Sequence, residues 1–347
     1  QLFPTALALA QAQGLGGAEL LAGMVAGYEI AHRMGRCWHD HHEVYQACGA
    51  WGSVACAATA ANLLQLPTAQ VTQALAIAEY HAPNLPIMRD IAHPAMVKHG
   101  IGWGALTGIH AAQLAARGFT GIPTLFSFPQ YREWIADIGQ TYLMLEGVSW
   151  KAQGYACCGW AHAAAQGAKT LLEGHKFNLQ EIETIEIETF REAAALGTRL
   201  PETTEEAQFN LAWPVAAMLV DGEIGPAQTL ETRLRDPQIR KLAATVRVRE
   251  SAQFNELRRL FQKGDPRGRF ASAVRLTLSD GRRLESGAVG GGLAFPQPGW
   301  DDAKMEAKFR WLAASLLPQD NVDELVDLIW RFHEVENLNP LIALIES

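Results

Sequence analysis

The chain has 347 residues, 48% hydrophobic and 19% charged, which gives two cores of ordinary size and excludes a disordered chain. Its formal net charge of −8 excludes nucleic acid as the main partner, because neutralising phosphates takes a surplus of Lys and Arg, yet a local cation cluster can still bind a small acid. The five cysteines, Cys37, Cys48, Cys56, Cys157 and Cys158, make no even-numbered secreted framework, and no apolar run reaches membrane-spanning length, so a reducing, cytoplasmic setting without a membrane is expected.

Helical periodicity governs the chain to about residue 125. Thr5–Gln13 is short and Ala-rich. Gly17–Met34 places Leu20, Leu21, Met24, Val25 and Tyr28 on one face. Ala47–Leu66 is built largely of Ala, Gly and Ser. Pro67 stops it, and Thr68–Tyr80 follows. Gly100–Arg117 comes next, ended by Gly118. Small side chains let helix axes approach closely, so this half reads as a tight bundle. The opening at Gln1, on a helix without lead-in, leads to the expectation that an N-terminal portion is missing.

Beyond about residue 150 the period changes to two. A helix at 160–173 precedes strand Glu181–Thr189, where Ile185, Glu186, Ile187 and Glu188 alternate. Ala244–Glu250 and Ala273–Leu278 repeat the alternation, and Asp280–Gly281 turns the last into Arg282–Val289. A helix at about Ala207–Val220 lies between the first two strands, with Trp213 read as core. Helix returns after Trp300, in runs capped by Asp301/Asp302 and by Asn321. The expected fold is mainly α: a large Ala-rich helical domain with an inserted smaller α+β lid. The helical domain takes residues 1–150, the lid 151–297, and the C-terminal helices 298–347 rejoin the first bundle.

Three segments carry chemistry. WHDHHEVY, Trp38–Tyr45, offers His39, His41 and His42 with Asp40, Glu43 and Tyr45. A metal-dependent hydrolase built on His39, His41 and an acid is one reading. A solvated turn is another, and acid or base groups lining a cleft are a third. In His93–Gly104, Lys98 and His99 precede a helix start, where backbone N–H groups and the macrodipole favour an anion. Upstream, His81 and Arg89 lie on a proline-broken loop. In Lys151–His162, Cys157 and Cys158 read as buried structural thiols, and His162 as a group near an interdomain cleft.

The segments GYEIAHRMGR, ACGAWGSVACAATAANLLQL, AMVKHGIGWGALTGIHAAQLAARGFTG, YACCGWAH and AQFNLAWPVAAMLVDGEIG, with the hairpin SDGRRLE and the closing DDAKMEAKFRWLA, resemble the MmgE/PrpD family over essentially the whole chain. The resemblance implies a homodimer of helical domains with α/β lids, without metal or organic cofactor. It also implies dehydratase, decarboxylase or epimerase chemistry on a small di- or tricarboxylate. Lys98 falls on the family's substrate-facing lysine, and the usual histidine of a His-Pro stretch is replaced by Glu43 or displaced by one to His42. A family lysine falls on Gln153, with Lys151 as stand-in. A histidine and a tyrosine of cis-aconitate decarboxylation fall on Cys158 and Trp213, which argues against cis-aconitate as the substrate. The family's N-terminal segment, with its Asp and His-Pro residues, is expected to be absent.

The expected site therefore has His42, Lys98, Tyr45 and Lys151 as catalytic groups, and Arg89, His99, His162 and His81 as binding groups. A non-catalytic family relative remains the other alternative to the lyase or isomerase.

Overall fold

Alanine, glycine and serine dominate the helix α3 (Cys48–Leu63), so it can be buried on nearly every side, as it is from Gly49 to Leu63. The structure is a computed structural model that describes residues 1–146, 155–263, 265–290 and 301–346. Around α3 stand α1 (Leu2–Gln13), α2 (Gly17–His41), α4 (Thr68–Tyr80) and α6 (Ile101–Ala116), with the short α5 (Ile87–Ala92) between the last two. The close approach of α3 and α6 depends on missing side chains. A methyl group at Gly108 would stand 2.6 Å from the Ala57 backbone nitrogen, and one at Gly104 would stand 2.5 Å from the Gly49 carbonyl oxygen. Both distances are far inside van der Waals contact with backbone that cannot step aside.

The chain divides into two compact units. The first holds residues 1–90, 97–148 and 313–347, including α7 (Leu143–Glu146). One of its cores gathers Met34, Cys37, Trp38, Ala50, Val54, Leu125, Phe126 and Tyr131. The second unit holds residues 91–96 and 149–312. It begins in the described residues with α8 (His162–Gly174), then β1 (Ile182–Thr189), α9 (Arg191–Ala194), α10 (Thr204–Gln208), α11 (Ala212–Asp221), α12 (Pro237–Ala244), β2 (Val246–Glu250), α13 (Ala252–Gln262), β3 (Ala271–Leu278), β4 (Arg283–Glu285), β5 (Val289–Gly290) and α14 (Asp302–Ala313). The last helices, α15 (Gln319–Trp330) and α16 (Asn339–Glu346), belong to the first unit. Mainly α is the class observed.

The sheet runs β2-β1-β3-β4, with β5 also on β3; β1 and β2 are parallel and the other pairs antiparallel. Ile185, Ile187, Val246, Val274 and Leu276 are buried on the inner face, where α8, α12 and α13 pack. Outward residues form a charge ladder across four strands: Arg249 to Glu188 at 2.6 Å, and Arg275 to Glu186 at 3.3 Å and Glu285 at 2.6 Å. One apolar and one charged face is what strict alternation produces. Trp213 is fully buried and its indole N–H donates to the Gln228 carbonyl at 2.8 Å, as expected of a core residue.

Candidate functional site

The polar WHDHHEVY stretch is not a turn throughout: α2 continues through His41, and His42 caps it. Trp38 and Cys37 are buried there and hold the last turn against the core. Each histidine then has its own surroundings. His39 stacks on Tyr45 with ring centroids 4.4 Å apart, and its Nε2 lies 3.2 Å from the Gln46 carbonyl. Burial pushes its protonation below the usual histidine range, against the pull of the Gln46 and Gly35 carbonyls. His41 points to Phe128 and Tyr131, at centroid distances of 5.7 and 6.4 Å. His42 stacks on Trp38 at 4.6 Å, and its Nδ1 lies 2.9 Å from the Trp38 carbonyl. A carbonyl only accepts, so Nδ1 carries the proton and Nε2 of the neutral ring keeps the lone pair, the form a base needs. Among the described residues, no three His, Cys, Asp or Glu side chains converge in a way that would hold a metal ion. This geometry does not favour the hydrolase reading.

Backbone bonds then tie this end of α2 to the next candidate segment. The Ile87 amide donates to the Tyr45 carbonyl at 3.0 Å, and the Ala47 amide to the Leu85 carbonyl at 2.8 Å. The Gln46 side chain accepts from the Leu85 amide at 2.6 Å. Leu85 in turn fills the space where a Gly100 side chain would be, 2.3 Å from that position. Residues 39–47, 85–90 and 98–100 are thereby brought to one side of the first unit.

Lys98 stands on an unusual turn. Lys98, His99 and Gly100 have φ of 42°, 56° and 62°, three left-handed residues in a row of which only the last is glycine. Each non-glycine residue there costs roughly 1–2 kcal/mol. The His99 ring donates from Nδ1 to Asp90 Oδ2 at 2.8 Å, the Gly100 amide donates to the Val97 carbonyl at 2.8 Å, and Ile101 opens α6 directly afterwards. Gly49 lets α3 abut the turn, since a methyl group there would stand 2.3 Å from the Gly100 carbonyl oxygen. Lys98 is half-buried, whereas Arg89 is exposed and its guanidinium meets no acid among the described residues. His81 is exposed at the end of α4, its Nδ1 3.0 Å from the Ile77 carbonyl.

The remaining candidates belong elsewhere. His162 is 1% exposed within the second unit, with Nε2 at 3.1 Å from the Cys157 carbonyl and its ring edge-on to Tyr155 at 5.3 Å. Tyr155 donates to Gln166 Oε1 at 2.8 Å, and burial pushes its phenol up to about 12. Cys157 and Cys158 are half-buried rather than buried, because they lie in an irregular stretch before α8. Lys151 lies outside the described residues.

Two acids with a part here escaped the sequence reading. Asp90 was legible only as the neighbour of Arg89. Glu79, on α4, accepts the Leu125 amide with both oxygens at 3.0 and 3.1 Å, and so pins the segment that carries Phe128 and Tyr131. Burial pushes its carboxyl up to about 7 from an ordinary 4.5. Between those values the folded state holds the proton more tightly than the unfolded chain. Stability therefore falls as pH rises through this window and levels off above about 7. Allowing for partial exposure, the difference is on the order of 2 kcal/mol. Urea titrations at pH 5 and pH 8 should show Glu79→Gln gaining stability selectively at pH 8. An equal shift at both pH values would refute the assignment.

Comparison with known proteins resolves the class. Residues 1–131 match the MmgE/PrpD N-terminal domain and residues 155–332 the MmgE/PrpD C-terminal domain. The chain belongs to the MmgE/PrpD family. The family's N-terminal domain is thus represented in this chain by residues 1–131, where its N-terminal segment was expected to be absent. It is similar to cis-aconitate decarboxylase of Aspergillus terreus, 23% identical over 366 residues covering 96% of this chain and 72% of that protein. It is also similar to cis-aconitate decarboxylase of Homo sapiens, 24% identical over 368 residues covering 100% of this chain and 73% of that protein.

Proposed function

We propose that this chain is a lyase-type enzyme acting on a small di- or tricarboxylate by abstraction of a proton α to a carboxylate. The observation that carries the reading is Lys98, an ammonium held on a strained left-handed turn at the start of α6 within a MmgE/PrpD N-terminal domain. His42 Nε2 takes the α-proton, the electron pair moves onto the substrate carboxylate, and Lys98 neutralises the second negative charge that develops there. Tyr45 supplies a proton to a departing hydroxide, giving an alkene and water. Reprotonation of the carbon gives an epimer instead. Arg89 and His99, with His81, bind the remaining carboxylates. The enzyme works as a cytoplasmic homodimer without a metal or organic cofactor. That part of the proposal rests on the family resemblance and on composition.

The relatives named cis-aconitate decarboxylase support a lyase acting on a tricarboxylate. Cys158 and Trp213, which fall where the family resemblance puts a histidine and a tyrosine of cis-aconitate decarboxylation, argue against cis-aconitate as the substrate. Incubation in D₂O with a panel of di- and tricarboxylates, cis-aconitate included, tests the reading by NMR. One substrate should take up deuterium or lose water, and His42→Gln should slow this by about 10²–10⁴-fold. An unreactive panel would leave a non-catalytic relative as the better description.

A further inference from the structure

Resting on that reading, we propose that Asp90 is a positioning residue. By accepting the His99 Nδ1–H it holds Lys98 and His99 in the left-handed region and so fixes where the Lys98 ammonium stands. Two successive non-glycine residues at φ 42° and 56° do not stay there on local preference. Something must compensate, and the groups that do so can be named. Two are backbone features: the Gly100 amide on the Val97 carbonyl at 2.8 Å, and the space that Gly49 leaves for the turn. The third is the Asp90–His99 bond at 2.8 Å, between side chains that are 17% and 21% exposed. It is a side-chain contact that reaches one of the strained residues directly. A charge-assisted bond in a partly desolvated place is among the stronger hydrogen bonds.

The surroundings direct the carboxylate to this task. Its neighbour Arg89 is exposed and meets no acid among the described residues, so the carboxylate is not paired with the nearest cation in sequence. The helix that carries Asp90 is itself anchored, through the Ile87 amide on the Tyr45 carbonyl. Asp90 thus connects the Tyr45 segment to the Lys98 turn, acting on kcat through Lys98 and on KM through the carboxylate-binding His99. Displacing a charge-stabilising group by about 1 Å is enough to cost about 10²-fold in rate.

The test uses the full chain, with Asp90→Ala and Asp90→Asn each made alone and in a Lys98→Ala background. The readouts are steady-state kinetics on the substrate found by deuterium exchange and a crystal structure of each variant. Asp90→Ala should lower kcat by about 30–100-fold with a smaller change in KM. Asp90→Asn, whose amide oxygen still accepts the Nδ1–H, should recover activity to within about 3-fold of the parent. In the Lys98→Ala background the further loss from Asp90→Ala should be under about 2-fold, because the group it positions is gone. The crystal structures should show φ of Lys98 and His99 leaving the left-handed region in Asp90→Ala and keeping it in Asp90→Asn. Should Asp90→Ala fail to fold, Asp90→Ser, whose shorter side chain does not reach the His99 ring, must reproduce the loss. An undiminished effect of Asp90→Ala in the Lys98→Ala background would overturn the proposal, as would a left-handed turn that persists in Asp90→Ala. If instead Lys98→Ala leaves activity untouched, the functional reading fails, and the crystal structures still decide whether Asp90 holds the turn.

Discussion

Lys98→Ala is expected to lower kcat/KM by about 10³-fold or more while leaving the protein at least as stable as the parent. The first half follows from the chemistry. Removing one preorganised charge stabiliser from a site that develops an enolate-like dianion typically costs about 10²–10³ in rate, and a full positive charge is the upper end of that class. The second half follows from the backbone. Lys98 has φ of 42°, so the parent already carries the strain, and the side chain of a half-buried lysine contributes little packing in return. Lys98→Gly separates the two effects, since glycine enters the left-handed region freely. It should be as inactive as the alanine variant and roughly 1 kcal/mol more stable. Lys98→Arg should not rescue, because a planar fork replaces a point charge on a turn whose direction is fixed. Kinetics and urea unfolding on the three variants decide the matter. An alanine variant within about 3-fold of parental activity would remove Lys98 from the mechanism, and inactivity accompanied by a large stability loss would make it a structural residue instead.

Where the sequence was legible, the periodicity carried the information. The 3.6-residue pattern placed α4 at its observed bounds Thr68–Tyr80, and alternation placed β1 within a residue of its observed start. The end of α2 was not legible as helix. His39 to His41 look like turn material, and only the burial of Cys37 and Trp38 in the core keeps the last two turns wound. In the second unit α12 and α13 escaped the reading. For α12 a signal was present, since Asp236 caps the helix by accepting the Gln238 and Ile239 amides at 2.9 Å and Pro237 starts it. The parallel pairing of β1 with β2 had no local signal, because strand order is a property of long-range packing. The site divides the same way. Lys98 was legible by resemblance, but its left-handed turn was not. Of the three residues only Gly100 favours that conformation, and the clamp on His99 comes from an aspartate in another helix.

Arg33→Met is expected to destabilise the protein by about 3–5 kcal/mol, the largest stability effect of any single substitution considered. Arg33 is 1% exposed, and its guanidinium gathers four acceptors. Nη1 donates to the Trp134 carbonyl at 2.5 Å and to Asp137 Oδ1 at 2.6 Å, while Nη2 donates to the Thr141 carbonyl at 2.9 Å and to Glu29 Oε2 at 3.4 Å. Glu29, one turn earlier on α2, accepts the Leu143 and Met144 amides at 3.1 and 3.0 Å. This pair therefore fixes residues 134–144 onto α2, much as Glu79 fixes the preceding stretch onto α4. Methionine keeps most of the volume but leaves the Glu29 carboxylate 6% exposed without its cation, and an uncompensated buried charge is the costly part. That distinction makes the prediction specific. Arg33→Met combined with Glu29→Gln should be more stable than Arg33→Met alone, although the double variant has lost more of the native network. Arg33→Lys should fall in between, because one ammonium cannot serve four acceptors spread along the segment. Urea unfolding measures all three. A loss below about 1 kcal/mol in Arg33→Met, or a double variant weaker than the single one, would mean that apolar packing and not the buried ion pair holds residues 134–144 in place.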